Sequence, residues 1–336
     1  MPMVAPFLSF KNHPTMKTKK LLLTISAVLL LSACSSGDGD SVERSKPDPN
    51  SDNTSINANK NTSGPIEAQT QLEFPHLKKG IVIVHRAILN KNINEEGLNY
   101  CVEWDTDLQS QRWSCYKIYS SIKYHSSYNV KRYSAENDGT LSPTCQYPND
   151  PQLPAEYQFT TDPYKYSGYD HGHICPSADR LRATDSNYQT FFITNMQPQY
   201  SKFNAGLWQE MEDDVRNWVS MSDTLYICKG GTIDNSEYIL EYVNQRSHQS
   251  TRVNKDHIPV PRFFYMALLS RKNNTWQAMA YWAQNLNEDH SKDTRKGYAI
   301  TIDRLEELTG IDFFCNLPDN IEDEVESKVT HSYWFK

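Results

Sequence analysis

The sequence predicts an α+β fold, with a mixed, largely antiparallel central sheet and flanking helices, and three observations lead to this prediction. The chain has 336 residues, enough for one large domain or two small ones with a buried core. No internal repeat and no second linker is visible after residue 74. Short strand-like segments are interspersed with only two clear helical segments, and this mixed order is typical of α+β domains.

The individual elements follow from residue type and spacing. Two segments have helical character, Leu207–Trp218 and Asp303–Leu308. Two strand-like segments flank a polar loop, which predicts a hairpin centred near Leu108. In chain order, the predicted strands are Gly80–Val84, Tyr100–Trp104, Trp113–Ile118, Phe191–Thr194, Thr224–Cys228, Phe263–Leu269 and Gln277–Tyr281.

The charge balance restricts the function classes that the chain can serve. The formal net charge is -7, with 34 Lys and Arg against 41 Asp and Glu. A protein that binds nucleic acid tightly usually carries a basic surface, so the acidic total argues against a static nucleic-acid-binding protein. An enzyme that holds only a few phosphates locally remains compatible with it.

The stretch Met16–Cys34 has the features of an export signal. A lysine-rich start precedes the apolar run Leu21–Leu31, which is too short for an ordinary membrane-spanning helix. The run ends in Leu-Ser-Ala-Cys, which resembles a bacterial lipobox. We therefore expect residues 1–33 to be a signal peptide, with Met16 as an alternative start. We expect Cys34 to carry lipid that anchors the chain at the outer membrane or cell surface; the alternatives are a short membrane anchor or a buried helix.

The segment after Cys34 predicts a tether. Residues 35–72 are rich in Ser, Asp, Asn, Pro and Thr and have almost no large apolar side chains. Such a composition cannot bury enough surface to fold, and a chain of this length has a root-mean-square reach of roughly 35 Å. The predicted organisation is therefore a lipidated cysteine and disordered tether over residues 34–73, followed by one domain over residues 74–336.

Six further cysteines follow Cys34, and an even number in an exported chain favours disulfides. The predicted hairpin sets Cys101 opposite Cys115, so this pair is the clearest expected bridge. The other four cysteines allow three pairings, between which the sequence does not choose. Free buried cysteines are the alternative.

The segment Tyr169–Pro176 contains the sequence Asp-His-Gly-His at residues 170–173. Glycine beside histidine allows the backbone to be approached closely, and imidazole is suited to taking a proton from water near neutral pH. His173 is therefore a candidate general base, whereas a core histidine is the bland alternative. Asp170 is expected to be an orienting or turn residue.

A second group of polar residues follows at helical spacing. Asn204, Trp208, Glu212 and Arg216 are four residues apart and share one slanting face of a helix. An amide, a carboxylate and a guanidinium on one face are unusual for a core but suit a hard cation and a phosphate. The alternatives are that Glu212 is a solvated helix charge and that Arg216 forms an ordinary surface ion pair with it.

Together these motifs resemble the DNA/RNA non-specific endonuclease family of the ββα-metal superfamily. That family carries an Asp-Arg-Gly-His motif, a strand, and then a helix that opens with a metal-binding Asn. Downstream segments resemble its next core strand (residues 257–261 and 263–264) and its closing segment (residues 309–314). The resemblance covers roughly residues 80–335. It implies a ββα-metal active-site motif in the α+β fold, and Mg²⁺-dependent cleavage of DNA and RNA that leaves 5′-phosphate ends, with Mn²⁺ as an alternative ion.

The resemblance also implies residue roles. His173 is the general base that activates water, and Asn204 is the direct Mg²⁺ ligand. Glu212 holds metal-bound waters, and Arg216 binds the scissile phosphate. Further residues are expected to brace the site or contact substrate, namely Asp170 and Asn195 as support and Gln199 as both.

One position departs from the family pattern. Where the motif has Arg, this chain has His171, which is usually neutral at pH 7, whereas Arg is always charged and binds phosphate in a fork. Either His171 is charged when phosphate is bound, or another residue compensates. Arg132 and Arg180 are the residues expected to do so.

Two other function classes fit parts of the sequence. His171, His173 and Cys175 alternate, so on a strand they share a face and predict a zinc site or zinc-dependent hydrolase. A non-enzymatic, polymer-binding surface lipoprotein is the other alternative, because Tyr and Trp are abundant and stack on sugars or bases. The sequence does not predict the oligomeric state.

Overall fold

The computed structural model describes residues 57–61, 66–123, 125, 127–138, 145–244 and 257–336. The predicted signal peptide, Cys34 and most of the predicted tether lie outside these residues. Among the residues that the structure describes, no helix has both the length and the apolar character needed to cross a membrane.

The predicted antiparallel sheet is present and forms the centre of the domain. The strands are β1 (Ile81–Asn90), β2 (Glu95–Asp105), β3 (Ser110–Ile118), β4 (Asp170–His173), β5 (Met196–Gln199), β6 (Thr224–Gly231), β7 (Ile239–Asn244), β8 (His257–Pro261), β9 (Phe263–Lys272), β10 (Thr275–Gln284) and β11 (Ala299–Ile300). Seven of them form the central sheet in the order β1-β2-β3-β6-β9-β10-β11, and every neighbouring pair is antiparallel. Two separate ribbons, β4-β5 and β7-β8, are also antiparallel.

Short helices connect and cover these strands. The α-helices are α1 (Ala135–Asp138), α2 (Thr184–Gln189), α3 (Gln209–Trp218), α4 (Ile302–Thr309), α5 (Asp319–Glu326) and α6 (His331–Trp334). A π-helical turn, Phe203–Trp208, runs directly into α3. The 3-10 helices are Glu67–Thr70, Ala155–Tyr157, Ser177–Arg180, Ile193–Asn195, Val219–Met221, Ser236–Tyr238 and Arg295–Tyr298.

Both faces of the sheet are covered, because alternate residues of each strand pack into different cores. On β9, Phe264 and its alternate neighbours join a core that includes Met211 and Val215 of α3. Tyr265 and its alternate neighbours join a second core that includes Leu305 of α4 and Val325 of α5. The domain therefore has three layers, with α3 on one face and α4 and α5 on the other.

Most of the predicted elements are confirmed, but the predicted strand Phe191–Thr194 is wrong. Its backbone forms local turns: Phe191 N–H donates to Tyr188 O at 2.9 Å, and Asn195 N–H donates to Phe192 O at 2.9 Å. A 3-10 helix covers Ile193–Asn195, and strand β5 begins at Met196. These apolar residues fill the core from a turn. A short apolar run in the sequence does not show whether its backbone forms a strand or a buried turn.

The predicted pairing of Cys101 opposite Cys115 is confirmed in the register of β2 and β3. Both residues are nevertheless free thiols, as are the other four cysteines that the structure describes. The two side chains lie in the second core, where burial raises the pKa of Cys115 well above its ordinary value. The expected disulfide is therefore not present, although the strands hold the two residues side by side.

The fold includes residues 57–61 and 66–73, which the sequence analysis assigns to the tether; we call them the N-terminal strap. Ala68 of the strap is 2% exposed and packs in the second core. Ile66 and Leu72 of the strap also pack against this core. Polar side chains add further contacts: Asn59 donates to Asp312 Oδ2 at 3.1 Å and to Glu322 Oε1 at 3.0 Å. Asn61 donates to Pro75 O at 3.0 Å. Amino-acid composition indicates only how much apolar surface a segment can bury, so it does not predict this docking.

Candidate active site

An open cleft of about 530 Å³ lies between the β4-β5 ribbon and the helical segment formed by the π-turn and α3. The ribbon contributes residues from its first strand, and the helical segment contributes residues from four successive turns. Eight of the residues singled out in the sequence line this cleft, namely Arg132, Asp170, His171, His173, Asn204, Trp208, Glu212 and Arg216. The structure thus brings the two sequence motifs together.

His173 ends strand β4, where it pairs with Met196 of β5. Its Nε2 is buried and has no hydrogen-bond partner in the described part of the chain. Burial is the main cause that lowers the pKa of His173 to about 3, and the charges of Arg132 and His171 add to it. The imidazole is therefore neutral at pH 7, with an unpartnered nitrogen that can accept a proton.

Close packing behind Gly172 sets the position of His173. A Cβ atom added to Gly172 would lie 2.3 Å from Cδ of Gln199, which is fully buried on the facing strand. Only glycine allows this approach, as the sequence suggested. The Gln199 amide fills the space beneath the residue that precedes the base.

Asn204 lies in the π-helical turn, and Asp170 orients its side chain. The Asn204 amide nitrogen donates to Asp170 Oδ2 at 3.0 Å, and the other oxygen of Asp170 accepts from Ser201 Oγ at 2.7 Å. Since the carboxylate accepts only, it selects the amide nitrogen and leaves Asn204 Oδ1 as the oxygen available to a hard cation. The wider π-turn places this residue over the cleft rather than in the core.

Glu212 forms an ion pair with Lys229 of β6, with Oε1 and Nζ 2.7 Å apart. Lys229 is 1% exposed and also lies 4.7 Å from the ring centroid of Trp208. Burial raises the pKa of Glu212, and the charge of Lys229 opposes this effect. Glu212 is thus a partly buried carboxylate with a fixed partner and lines the cleft, which makes the solvated-charge alternative wrong.

Arg216 is held by carboxylates other than Glu212. Its Nη1 donates to Asp179 Oδ1 at 2.9 Å, and its Nη2 donates to Asp213 Oδ1 at 2.7 Å. Asp179 is 1% exposed, and its other oxygen accepts from Tyr116. This framework fixes the guanidinium at the edge of the cleft, and the alternative of a simple surface pair with Glu212 is wrong.

His171, the residue that departs from the family pattern, has its own ion-pair partner. Its Nε2 donates to Asp162 Oδ1 at 2.8 Å, and its ring stacks on Tyr147 with centroids 3.7 Å apart. Burial is the largest single cause and raises the pKa of Asp162, but the hydrogen bond and charge of His171 and the backbone hydrogen bonds from Tyr164 and Lys165 together outweigh it, so the net shift is downward.

Arg132 contributes a guanidinium to the cleft, and its Nη1 and Nη2 make no hydrogen bond to any residue that the structure describes. It is exposed, its Nε donates to Ser177 Oγ at 3.1 Å, and its guanidinium carbon lies 4.9 Å from the ring centroid of Phe191. These contacts orient the side chain without using its terminal nitrogens. Arg132 can therefore donate a bidentate pair of hydrogen bonds to a phosphate group, from the side of the cleft where His171 lies.

The chain is similar in sequence to known proteins. The profile of the DNA/RNA non-specific endonuclease family matches residues 89–320, which is 232 of 336 residues. The chain belongs to this family. Over 186 residues it is 33% identical to a nuclease of Nostoc sp., and the match covers 54% of this chain and 63% of that protein. Over 183 residues it is 26% identical to the mitochondrial nuclease EXOG of Xenopus laevis, with 52% and 48% covered.

The match therefore spans about half to two thirds of the length of these two relatives. A chain in the crystal structure of an EndoG/EndoGI complex aligns with a TM-score of 0.48 at 19% identity. That alignment covers 65% of this chain and 84% of that chain.

Two of the residues predicted to bind substrate lie outside the cleft of this endonuclease-family chain. Arg180 is 1% exposed and donates to the backbone oxygens of Asn99, at 2.7 Å, and Lys117, at 3.2 Å. It therefore joins β2 and β3 to the loop after His173, and the expected substrate contact is wrong. Gln199 is fully buried and takes only the bracing part of its predicted role.

Asn195 has the bracing position that the family resemblance implies. Its Oδ1 accepts from Cys175 N–H at 2.9 Å, and its Nδ2 donates to Cys175 O at 2.9 Å and to Thr190 O at 2.8 Å. The side chain thus replaces a missing backbone partner on both sides of Cys175. This fixes the chain two residues beyond His173.

The zinc alternative lacks its ligand set. Within the described ranges, the His, Cys, Asp and Glu side chains close enough for three to share one ion do not include His171, His173 or Cys175. The Cys175 thiol is fully buried, and burial raises its pKa to about 12, whereas zinc binds the thiolate.

Three further residues hold the side chains that line the cleft and were not predicted from the sequence, namely Lys229, Asp179 and Asp162. A signal existed for Lys229, because it is the one charge in the otherwise apolar or small strand β6. Asp179 and Asp162 have no such signal, since their roles depend on partners 37 and 9 residues away that only the fold brings together.

Proposed function

We propose that this chain is a metal-dependent endonuclease that hydrolyses phosphodiester bonds of DNA and RNA without sequence preference. One observation carries the proposal: a neutral histidine with an unpartnered Nε2 shares a cleft with an oriented amide oxygen and two guanidinium groups. Family membership and the nuclease names of the relatives support it.

His173 acts as the general base. Because the imidazole is uncharged at neutral pH, its Nε2 can accept a proton from water as the water oxygen attacks phosphorus. The Gly172–Gln199 contact and the Asn195 brace hold the ring, so little reorganisation is needed before the reaction.

The residues present fit a bound Mg²⁺, with Mn²⁺ as the alternative ion. Asn204 Oδ1 is the direct protein ligand, since Asp170 occupies the amide nitrogen, and the Glu212 carboxylate orders the surrounding water. When bound, the ion supplies positive charge that stabilises the pentacovalent phosphorus and the departing 3′ oxygen.

The arginines hold the phosphate. Arg216 stabilises the charge that develops on phosphorus, and Arg132 binds a neighbouring phosphate oxygen beside the His171–Asp162 pair. Arg132, and not Arg180, is the residue that compensates for the missing family arginine. Breaking the bond to the 3′ oxygen leaves the phosphate on the 5′ end of the product.

Lack of sequence preference follows from the same groups. Guanidinium, imidazole and amide groups that face phosphate carry no base information. Only a local cluster of positive groups is required, so the net charge of -7 is compatible with substrate binding. The proposal includes export and lipidation at Cys34, which the sequence of residues 16–34 supports.

The test is incubation of the full chain with supercoiled plasmid and with RNA, in Mg²⁺ and in EDTA. We expect the wild type to degrade both polymers in Mg²⁺ only, and His173→Ala to lower the rate by at least about a hundredfold. His331→Ala, at an exposed histidine that does not line the cleft, is the matched control. A folded wild type that leaves both polymers intact in Mg²⁺ and in Mn²⁺ would contradict the proposal.

A further inference from the structure

Three carboxylates meet on the face of the sheet opposite the cleft. Asp303 and Glu306 project from α4, and Glu326 projects from α5. One oxygen of each lies within 4.8 Å of the others. Burial changes across the group: Asp303 is exposed, Glu306 is half-buried and Glu326 is buried. The group is therefore open to solvent on one side only.

Glu326 is the unusual member. Glu326 is only 4% exposed, and its Oε1 is buried without a hydrogen-bond partner among the described residues. It is also the last residue of α5, where the helix dipole is negative, and no basic residue occupies that last turn. A buried carboxylate at the wrong end of a helix is costly unless something compensates it.

No cation among the described residues supplies that compensation. The charged groups that act most strongly on Glu326 are all carboxylates, namely Glu306, Glu322, Asp312 and Asp303. With burial, they raise the pKa of Glu326 to about 10, and similar causes raise the pKa of Glu306 to about 8. At neutral pH, protons therefore neutralise these two carboxyls in the absence of a cation, and a bound divalent cation would displace the protons and supply the positive charge that the described residues do not provide.

We infer that Asp303, Glu306 and Glu326 form a binding site for a hard divalent cation, with Ca²⁺ the best fit. Carboxylate oxygens are the preferred ligands of such ions, and Ca²⁺ accepts six to eight oxygens in flexible geometry, so water completes its shell on the Asp303 side. Two ligands on opposite sides of one Ca²⁺ are about 4.6–5.2 Å apart. The three oxygens are therefore close enough to share one ion without rearrangement.

The site would stabilise structure and take no part in hydrolysis. An ion shared by α4 and α5 would join the two helices that cover the second core. Neighbouring Glu322 and Asp312 bind Asn59 of the N-terminal strap, so the ion would also reduce the repulsion beneath the docked strap. The site lies across the sheet from Asn204 and is separate from the catalytic ion proposed above.

The test is the thermal unfolding of the full chain, stripped with EDTA and titrated with Ca²⁺ alone. The variants are Glu326→Gln, Asp303→Asn as an exposed member that cannot compromise the core, and Asp323→Asn as the control for loss of a nearby exposed carboxylate. Asn204→Ala removes the proposed ligand of the catalytic ion. Activity of every variant on plasmid in Mg²⁺ is measured below its unfolding temperature.

We expect saturating Ca²⁺ to raise the unfolding midpoint by about 5 °C in the wild type, in Asp323→Asn and in Asn204→Ala. The shift should be lost in Glu326→Gln and reduced in Asp303→Asn, while both retain Mg²⁺-dependent activity. A shift that survives in Glu326→Gln and disappears in Asn204→Ala would assign Ca²⁺ to the catalytic cleft and overturn the inference. No shift in the wild type would also overturn it, whatever the activity assay shows.

Discussion

Replacing His173 by Gln should make the protein less sensitive to acid. Burial holds the pKa of His173 at about 3 in the folded state, against an ordinary value of 6.5 in the unfolded chain. As the pH falls below 6.5, the unfolded state takes up a proton that the folded state refuses. The wild type therefore loses stability between pH 6.5 and about 3, and a glutamine at this position removes that loss.

The magnitude follows from the two pKa values. Between pH 7 and pH 5, His173 alone should lower the free energy of unfolding by about 2 kcal/mol, since each pKa unit corresponds to about 1.4 kcal/mol. All other titrating groups are shared by the two proteins, so their contributions cancel in the difference to first order. The stability of His173→Gln relative to wild type should thus rise by about 2 kcal/mol over this interval.

Urea unfolding of both proteins at pH 7 and pH 5, without divalent metal, measures this difference. His331→Gln removes an exposed imidazole and should follow the wild type. A relative stability of His173→Gln that stays constant between the two pH values would refute the reasoning. It would mean that His173 takes up a proton in the folded protein as readily as in the unfolded chain, and that it is not kept neutral as a base.

Three other substitutions test the surroundings of the base. Gly172→Ala should lower the free energy of unfolding by about 1–3 kcal/mol, because the added Cβ would lie 2.3 Å from the Gln199 side chain. In the same urea assay, the double variant Gly172→Ala/Gln199→Ser should recover part of the lost stability. If it recovers none, the contact with Gln199 is not the cause of the loss. Lys229→Met should cost about 3–5 kcal/mol, because Glu212 loses its buried partner. The double variant Lys229→Met/Glu212→Gln should lose less unfolding free energy than Lys229→Met alone. An equal loss in the two variants would show that the ion pair is not responsible. His171→Arg should leave the rate of plasmid cleavage unchanged or raise it at alkaline pH, because Arg keeps its charge there. Complete loss of cleavage in this variant would show that His171 has a chemical role of its own.

The sequence predicted those parts of the fold that depend on local patterns. Strands β2 and β3 follow from two strand-like segments on either side of a polar loop, and α3 follows from the helical spacing of Trp208, Glu212 and Arg216. The Asp-His-Gly-His segment and the residues four apart from Asn204 to Arg216 also predicted most of the cleft. They did so because each motif is local and only the meeting of the two requires the fold.

What the sequence did not predict depends on partners distant in the chain. Arg180 lies seven residues after His173, but its hydrogen bonds to carbonyl oxygens of β2 and β3 hold its guanidinium in the core. The N-terminal strap has little apolar surface, yet asparagine hydrogen bonds dock it on segments more than 250 residues away. Composition reports burial on average and contains no information about such specific polar contacts.

The most direct test of the proposed mechanism is the Mg²⁺ dependence of plasmid cleavage in wild type, Asn204→Ala and His173→Ala. Asn204→Ala should raise the Mg²⁺ concentration at half-maximal rate by about tenfold or more, because the direct ligand is lost. His173→Ala should lower the maximal rate by at least about a hundredfold and leave that Mg²⁺ concentration within about twofold of wild type. An unchanged Mg²⁺ requirement in Asn204→Ala, or a full maximal rate in His173→Ala, would contradict the assignment of ligand and base.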